Sequence, residues 1–316
     1  MHQSQPLRIE DSSVASFCTS RCVNSLLWFV NNSRVEERML GYLAMYQQKY
    51  SVIIYAYKVM GNHVHLGARF PLRNRSEFMR DLNARTAEGV RYYVDEFEGG
   101  QLFGCRYSEQ GLVESEDIED KVFYCALQPV HHGLCRRISE HPQYNSFYDA
   151  ISGITREYPV VDWAAYNKKR RSDPDVSIEE FTSYYPLIFS RPEEFQEMSQ
   201  NDYKKKMLEK LEQRRVEIIA KKMEQGFIYP EDVSYLKELN PGTKPRTTKK
   251  SGRHDKRPRF FCKNPIKKLV KEIELFNIYC HYKFASSAYM RGDERVKFPD
   301  YTYKPPGFLV RPKGGG

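Results

Sequence analysis

Residues 51–70 read SVIIYAYKVMGNHVHLGARF, and the folding of this stretch decides how the rest is read. β-Branched and aromatic residues fill 51–60, Gly61-Asn62 is a tight-turn pair, and HVHLGARF (63–70) has the composition of a returning strand, so the segment predicts a β-hairpin. Alternate side chains of a strand face the same way, which puts His63 and His65 on one face and Val64 on the other. Two imidazoles so placed can share a divalent metal. An HxH pair in a strand is also common as a structural or surface feature, so a third ligand is required.

Working outward, VASFCTS (14–20) predicts a strand. Residues 34–49 predict an amphipathic helix, with Ser33 and Glu36 as a capping box and Val35, Met39, Tyr42, Leu43 and Tyr46 at helical spacing. A second helix, capped by Asn74 and Glu77, runs to about residue 97, where Gly99-Gly100 ends it. LFGCRYSEQ is a short strand or loop, and 115–128 is a third helix with acidic first turns. This order predicts an α+β, ferredoxin-like antiparallel sheet with helices on one face.

The third helix continues into YCALQPVHHGLC (124–135). Tyr124 and Gln128 are four residues apart and share a helical face, away from Ile118, Val122 and Cys125. A tyrosine off the apolar stripe, beside an amide oxygen that suits a hard cation, is available for chemistry. Taken alone, such a tyrosine is more simply a boundary residue packed on the sheet.

The length of 316 residues predicts two domains, placed here at 1–150 and 151–316. With 40% hydrophobic and 14% aromatic residues, disorder throughout is excluded. No apolar run is long enough to span a bilayer and MHQSQPLRIEDSS lacks the apolar core of a signal peptide, so a cytoplasmic protein is expected. Seven scattered cysteines argue for reduced thiols. The net charge of +9 is concentrated: residues 201–275 hold 21 basic and 11 acidic side chains, and within 241–271 the ratio is 12 to 1. Here 167–175 reads as a linker, 178–196 as a helical stretch broken by Pro186 and Pro192, 201–225 as a charged helix, 240–261 as an extended basic connector, and 264–284 as a last helix. The second half is therefore expected to be a mainly helical, basic, DNA-binding region.

MGNHVHLGARF followed some 60 residues later by Y-C-A-L-Q-P-V-x-x-G-L resembles the HUH single-tyrosine transposases, above all the REP-associated tyrosine transposases and their insertion-sequence relatives. The likeness spans about residues 14–150, with TSRCVNSLLWFVNN (19–32) similar to the family's opening strand and loop. It implies an HUH nuclease core in which His63, His65 and Gln128 hold Mg²⁺ or Mn²⁺ and Tyr124 attacks single-stranded DNA at hairpin or palindromic sites. The products implied are a 5′-phosphotyrosine and a free 3′-OH, the intermediate of DNA transposition. It implies a nucleoid-associated location and allows either a homodimer or a monomer. Gln128 departs from the Asn usual in REP-associated members and matches the insertion-sequence branch; His131 and His132 replace commoner residues and are given no role. Arg106 and Tyr107 stand where relatives carry a basic-aromatic pair near DNA, and Arg253, Lys256, Arg257 and Arg259, beside Phe260 and Phe261, join phosphate-neutralising charge to base-stacking rings. Two other readings compete: a non-catalytic nucleic-acid-binding descendant, and a metal-dependent phosphoesterase in which water attacks.

Overall fold

The computed structural model describes residues 7–245 and 257–305. Its elements in chain order are β1 (Ala15–Arg21), α1 (Ser33–Lys49), β2 (Ile53–Met60), β3 (His63–Arg69), α2 (Arg75–Tyr93), β4 (Ser108–Leu112), α3 (Ser115–Ala126), α4 (Gln128–His131), α5 (Phe147–Ser152), β5 (Arg156–Val161), α6 (Trp163–Arg170), β6 (Thr182–Leu187), α7 (Gln200–Glu224), β7 (Phe260–Phe261) and α8 (Pro265–Met290). One sheet has the order β2-β3-β1-β4-β7, antiparallel except where β7 lies parallel to β4. The predicted hairpin is present, with Met60 paired to His63.

The expectation of helices on one face is corrected. β2 and β3 are buried at almost every position instead of alternating, because a sheet covered on both sides leaves no polar face. On one side Val64, Leu66 and Tyr57 join residues of α1 and α2 such as Leu43, Phe78 and Leu82. On the other, Phe17 and Tyr55 join Ile118, Val122 and Phe123 of α3, Phe147 of α5 and Met207 of α7.

Elements beyond residue 150 enter both cores. β5 and β6 form a separate antiparallel pair whose Val160 and Leu187 complete the first core. β5 crosses α1 so closely that a Cβ on Gly41 would sit 2.6 Å from the Pro159 carbonyl oxygen. The helical reading of 178–196 is thereby corrected: Thr182–Leu187 is a strand, and Pro186 is tolerated because a two-stranded ribbon has only edge strands. The linker read at 167–175 begins inside α6. Capping also differs. Asn32, not Ser33, accepts from the Val35 amide, at 3.0 Å, while Glu36 reaches the Tyr144 amide at 2.7 Å. Asn74 gives α2 no side-chain cap; Glu10 accepts from the Ser76 amide at 3.0 Å instead. Among the described residues no helix is long and apolar enough to cross a membrane.

Candidate active site

Strand register builds one side of the site. Thr19 lies opposite His65 on β1, and Lys58 lies opposite it on β2; a slip of one residue would turn both imidazoles to the other face. This register sets Thr19 Oγ1 2.8 Å from His65 Nδ1. At the hairpin turn Asn62 Oδ1 is 2.6 Å from His63 Nδ1, and its amide nitrogen donates to the Ser25 carbonyl at 2.7 Å. In the tautomer whose Nδ1 proton is donated to these oxygens, each Nε2 presents its lone pair. Both Nε2 atoms are buried and have no hydrogen-bond partner.

The two rings stand 4.7 Å apart, centre to centre. They are 3% and 5% exposed. Burial, helped by neighbouring positive charge, holds His63 well below the usual imidazole range and brings His65 down to about 3. Both are therefore neutral near pH 7, the state in which imidazole binds metal.

α3 and α4 build the other side. Pro129 has no amide proton to continue the ladder, and α3 ends at Leu127 (φ −87°, ψ 8°) before α4 begins at Gln128. Tyr124 and Gln128 thus sit on successive helices, with different exposure: Tyr124 is 37% exposed and Gln128 is buried. The Tyr124 ring lies 5.9 Å from the His65 ring, edge on, 5.7 Å from Phe17 and 5.6 Å from His131. The Gln128 amide acts on the ionisation of His65 against the effect of burial. Tyr124, His63, His65 and Gln128 are brought together.

Arg106 and Tyr107 are not brought there as a pair. Tyr107 is a buried member of the first core, with Arg8 3.8 Å over its ring; only Arg106 is exposed. Arg253 and Lys256 lie outside the described residues. Arg257 and Arg259 lead into β7, and Gly111 of β4 donates to the Arg259 carbonyl at 3.0 Å.

Sequence reading missed three supports. His132, four residues after Gln128, places Nε2 3.0 Å from Gln128 Oε1 and its ring 5.9 Å from that of His63; the i,i+4 spacing was the available signal. Thr19 and Asn62 needed the register and the turn geometry. Among the described residues no three His, Cys, Asp or Glu side chains form a metal-holding group; the Gln128 amide is the neutral oxygen supplier beside the two imidazoles. The free Nε2 pair, their anchored Nδ1 atoms and that amide fit a hard or borderline divalent ion that keeps open positions. A cavity of about 500 Å³ lies elsewhere, lined by Arg75, Glu109, Arg259, Leu275 and Phe298 among others.

No family model matches the chain, and no curated protein matches it. Among solved structures, a REP-associated tyrosine transposase bound to a REP hairpin is similar, with a TM-score of 0.40 and 16% identity, over 47% of this chain and 85% of that one. This is a distant likeness.

Proposed function

We propose that this chain is a metal-dependent strand transferase that cuts and rejoins single-stranded DNA at hairpin-containing sites through a Tyr124 phosphotyrosine. The observation that carries the proposal is the convergence of two buried, neutral imidazoles with free Nε2 atoms, an amide oxygen supplier and a half-exposed tyrosine within one ring's width of His65. His63, His65 and Gln128 would hold Mg²⁺ or Mn²⁺, which when bound polarises the phosphodiester oxygens. Phe17, His65 and His131 surround the Tyr124 ring and fix the approach of its oxygen. An Nδ1 proton donated to Thr19 and to Asn62 would leave each Nε2 in the ligating tautomer. The choice of DNA as substrate comes from the motif resemblance of residues 60–70 and 124–134. A covalent intermediate conserves the energy of the phosphodiester, so the 3′-OH can reverse the cut.

The test is incubation of the full-length protein with labelled single-stranded hairpin libraries and Mn²⁺, followed by denaturing electrophoresis. Label retained on the protein is expected, and Tyr124→Phe should abolish it while hairpin binding persists. Cleavage without any adduct would instead support water as the nucleophile, and an undiminished adduct in Tyr124→Phe would assign the attack to another residue.

A further inference from the structure

Lys121 stands one helical turn before Tyr124 on α3 and is 8% exposed. Its Nζ lies 5.0 Å from the centre of the Tyr124 ring, 5.5 Å from Phe17 and 3.7 Å from Phe261 of β7. Among the described residues no oxygen accepts a hydrogen bond from this ammonium and no carboxylate pairs with it.

The nearby carboxylates are committed elsewhere. Asp117 accepts the Glu114 amide at 3.0 Å and the Lys263 amide at 2.9 Å. Asp120 pairs with Arg214 at 2.7 Å and Lys263 at 2.6 Å. Aromatic faces attract a cation but do not accept its protons as an anion does. The residue as a whole is 8% exposed, a cation so flanked by rings is short of a counter-charge, and one of the rings it meets is that of the nucleophile. Its burial also lowers its proton affinity, with Asp120 and Asp117 opposing.

We propose that Lys121 is a further catalytic residue, whose ammonium binds a non-bridging oxygen of the phosphodiester that Tyr124 attacks, and that Phe261 is the positioning residue that aims it. The proposal rests on the reading of Tyr124 as nucleophile. In the step, the Tyr124 oxygen bonds to phosphorus as the bond from phosphorus to the 3′ oxygen breaks; the phenol gives up one proton and the released 3′-OH gains one. The diester keeps its single negative charge, and charge gathering on its oxygens in the transition state strengthens the contact with a fixed, poorly hydrated cation. A strand from the second half of the chain thereby completes a site built by the first.

The experiment uses the full-length protein, saturating Mn²⁺ and a hairpin oligonucleotide that wild type cleaves, under single-turnover conditions. Lys121→Met is expected to slow adduct formation by about a hundredfold or more, with Mn²⁺ affinity unchanged. Phe261→Leu, which keeps the ammonium and loosens its cage, is expected to lose about tenfold without loss of secondary structure. A methylphosphonate at the scissile position, which removes the negative oxygen, should slow wild type strongly and cost Lys121→Met little more; a merely structural lysine would not show that dependence on substrate charge. Wild-type rates in both variants would overturn the proposal and leave Tyr124 in place. A chain that forms no adduct on any hairpin would overturn the nucleophile reading itself. Should Lys121→Met fail to fold, Phe261→Leu and the methylphosphonate carry the same decision, since undiminished rates with both overturn the role of Lys121.

Discussion

The two halves of the chain handle positive charge in opposite ways. Residues 201–275 carry a net +10, yet part of that charge is paired within the molecule. Lys210 and Arg214 of α7 reach Glu119 and Asp120 of α3 at 2.7 to 3.4 Å. Lys263 holds Asp120, Lys267 holds Glu114 and Lys271 holds Glu274. In the other half, where the charges nearly cancel, the ammonium of Lys121 meets only rings and Lys58 is fully buried. Net charge locates the abundance of cations, whereas pairing decides which of them remains for an anion. α8 adds to this picture: beside the exposed Lys267 and Lys268 it presents Ile266, Leu269, Val270, Ile273 and Phe276 to solvent.

The largest effect that could break the comparison is at the hairpin. His63→Ala and His65→Ala should each take Mn²⁺ binding below detection in calorimetry, because an imidazole on a strand cannot be replaced from elsewhere. Since both rings are buried, each change should also cost about 1–2 kcal/mol of stability through the cavity left behind. Unchanged metal affinity in both variants would reject the site.

Lys58 sharpens the same contrast through pH. Its Nζ is 2.9 Å from His141 Nδ1 and donates to the Gln143 carbonyl at 2.8 Å, and burial lowers its pKa from 10.5 to about 7. Between those values the unfolded chain holds a proton that the fold does not, so this group's contribution to stability rises with pH from about 7 to about 10.5. The unfolding free energy of wild type from denaturant titrations should therefore gain on that of Lys58→Met by on the order of a few kcal/mol across that window. A difference that stays constant with pH would show that Lys58 titrates alike in both states.

Much of the site was legible because hairpin and helix periodicities are local. The sequence placed His63, His65, Tyr124 and Gln128 together by motif order, and the structure does so by register. Tyr107 was misplaced because nothing in CRYSE shows that its ring turns into the first core beneath Arg8. β5 and β6 were missed since Pro159 and Pro186 look like breakers and the pairing of Pro159 with Tyr184 is a contact across 25 residues. Lys121 precedes Tyr124 by one helical turn in the sequence, but its lack of a counter-ion depends on where Lys263 and Arg214 end up, which no local pattern encodes.

A smaller effect separates ligand from support. Gln128→Ala should weaken Mn²⁺ binding by about tenfold, since water can replace one neutral oxygen, and His132→Ala should do nearly the same by freeing the amide to rotate. His132→Gln, which keeps a partner for the 3.0 Å contact to Gln128, should restore part of the loss. If His132→Ala leaves metal affinity untouched, the contact is incidental.

The smallest effect on chemistry is expected from the basic segment, and it tests the second half directly. Neutralising Arg253, Lys256, Arg257 and Arg259 together should weaken hairpin binding and flatten its log–log salt dependence by up to about 3 units, at roughly 0.7 per phosphate contact on a single strand. Lys267→Gln should change that slope by less than one contact, because Lys267 is already engaged by Glu114. Adduct formation at saturating protein should persist in both, since the proposed chemistry belongs to Tyr124 and the imidazoles. Equal slopes for wild type and the fourfold variant would mean that the charge of this segment is spent on solvent and on its own chain, and the strand's path would then have to be sought along the first half of the chain, beside Tyr124.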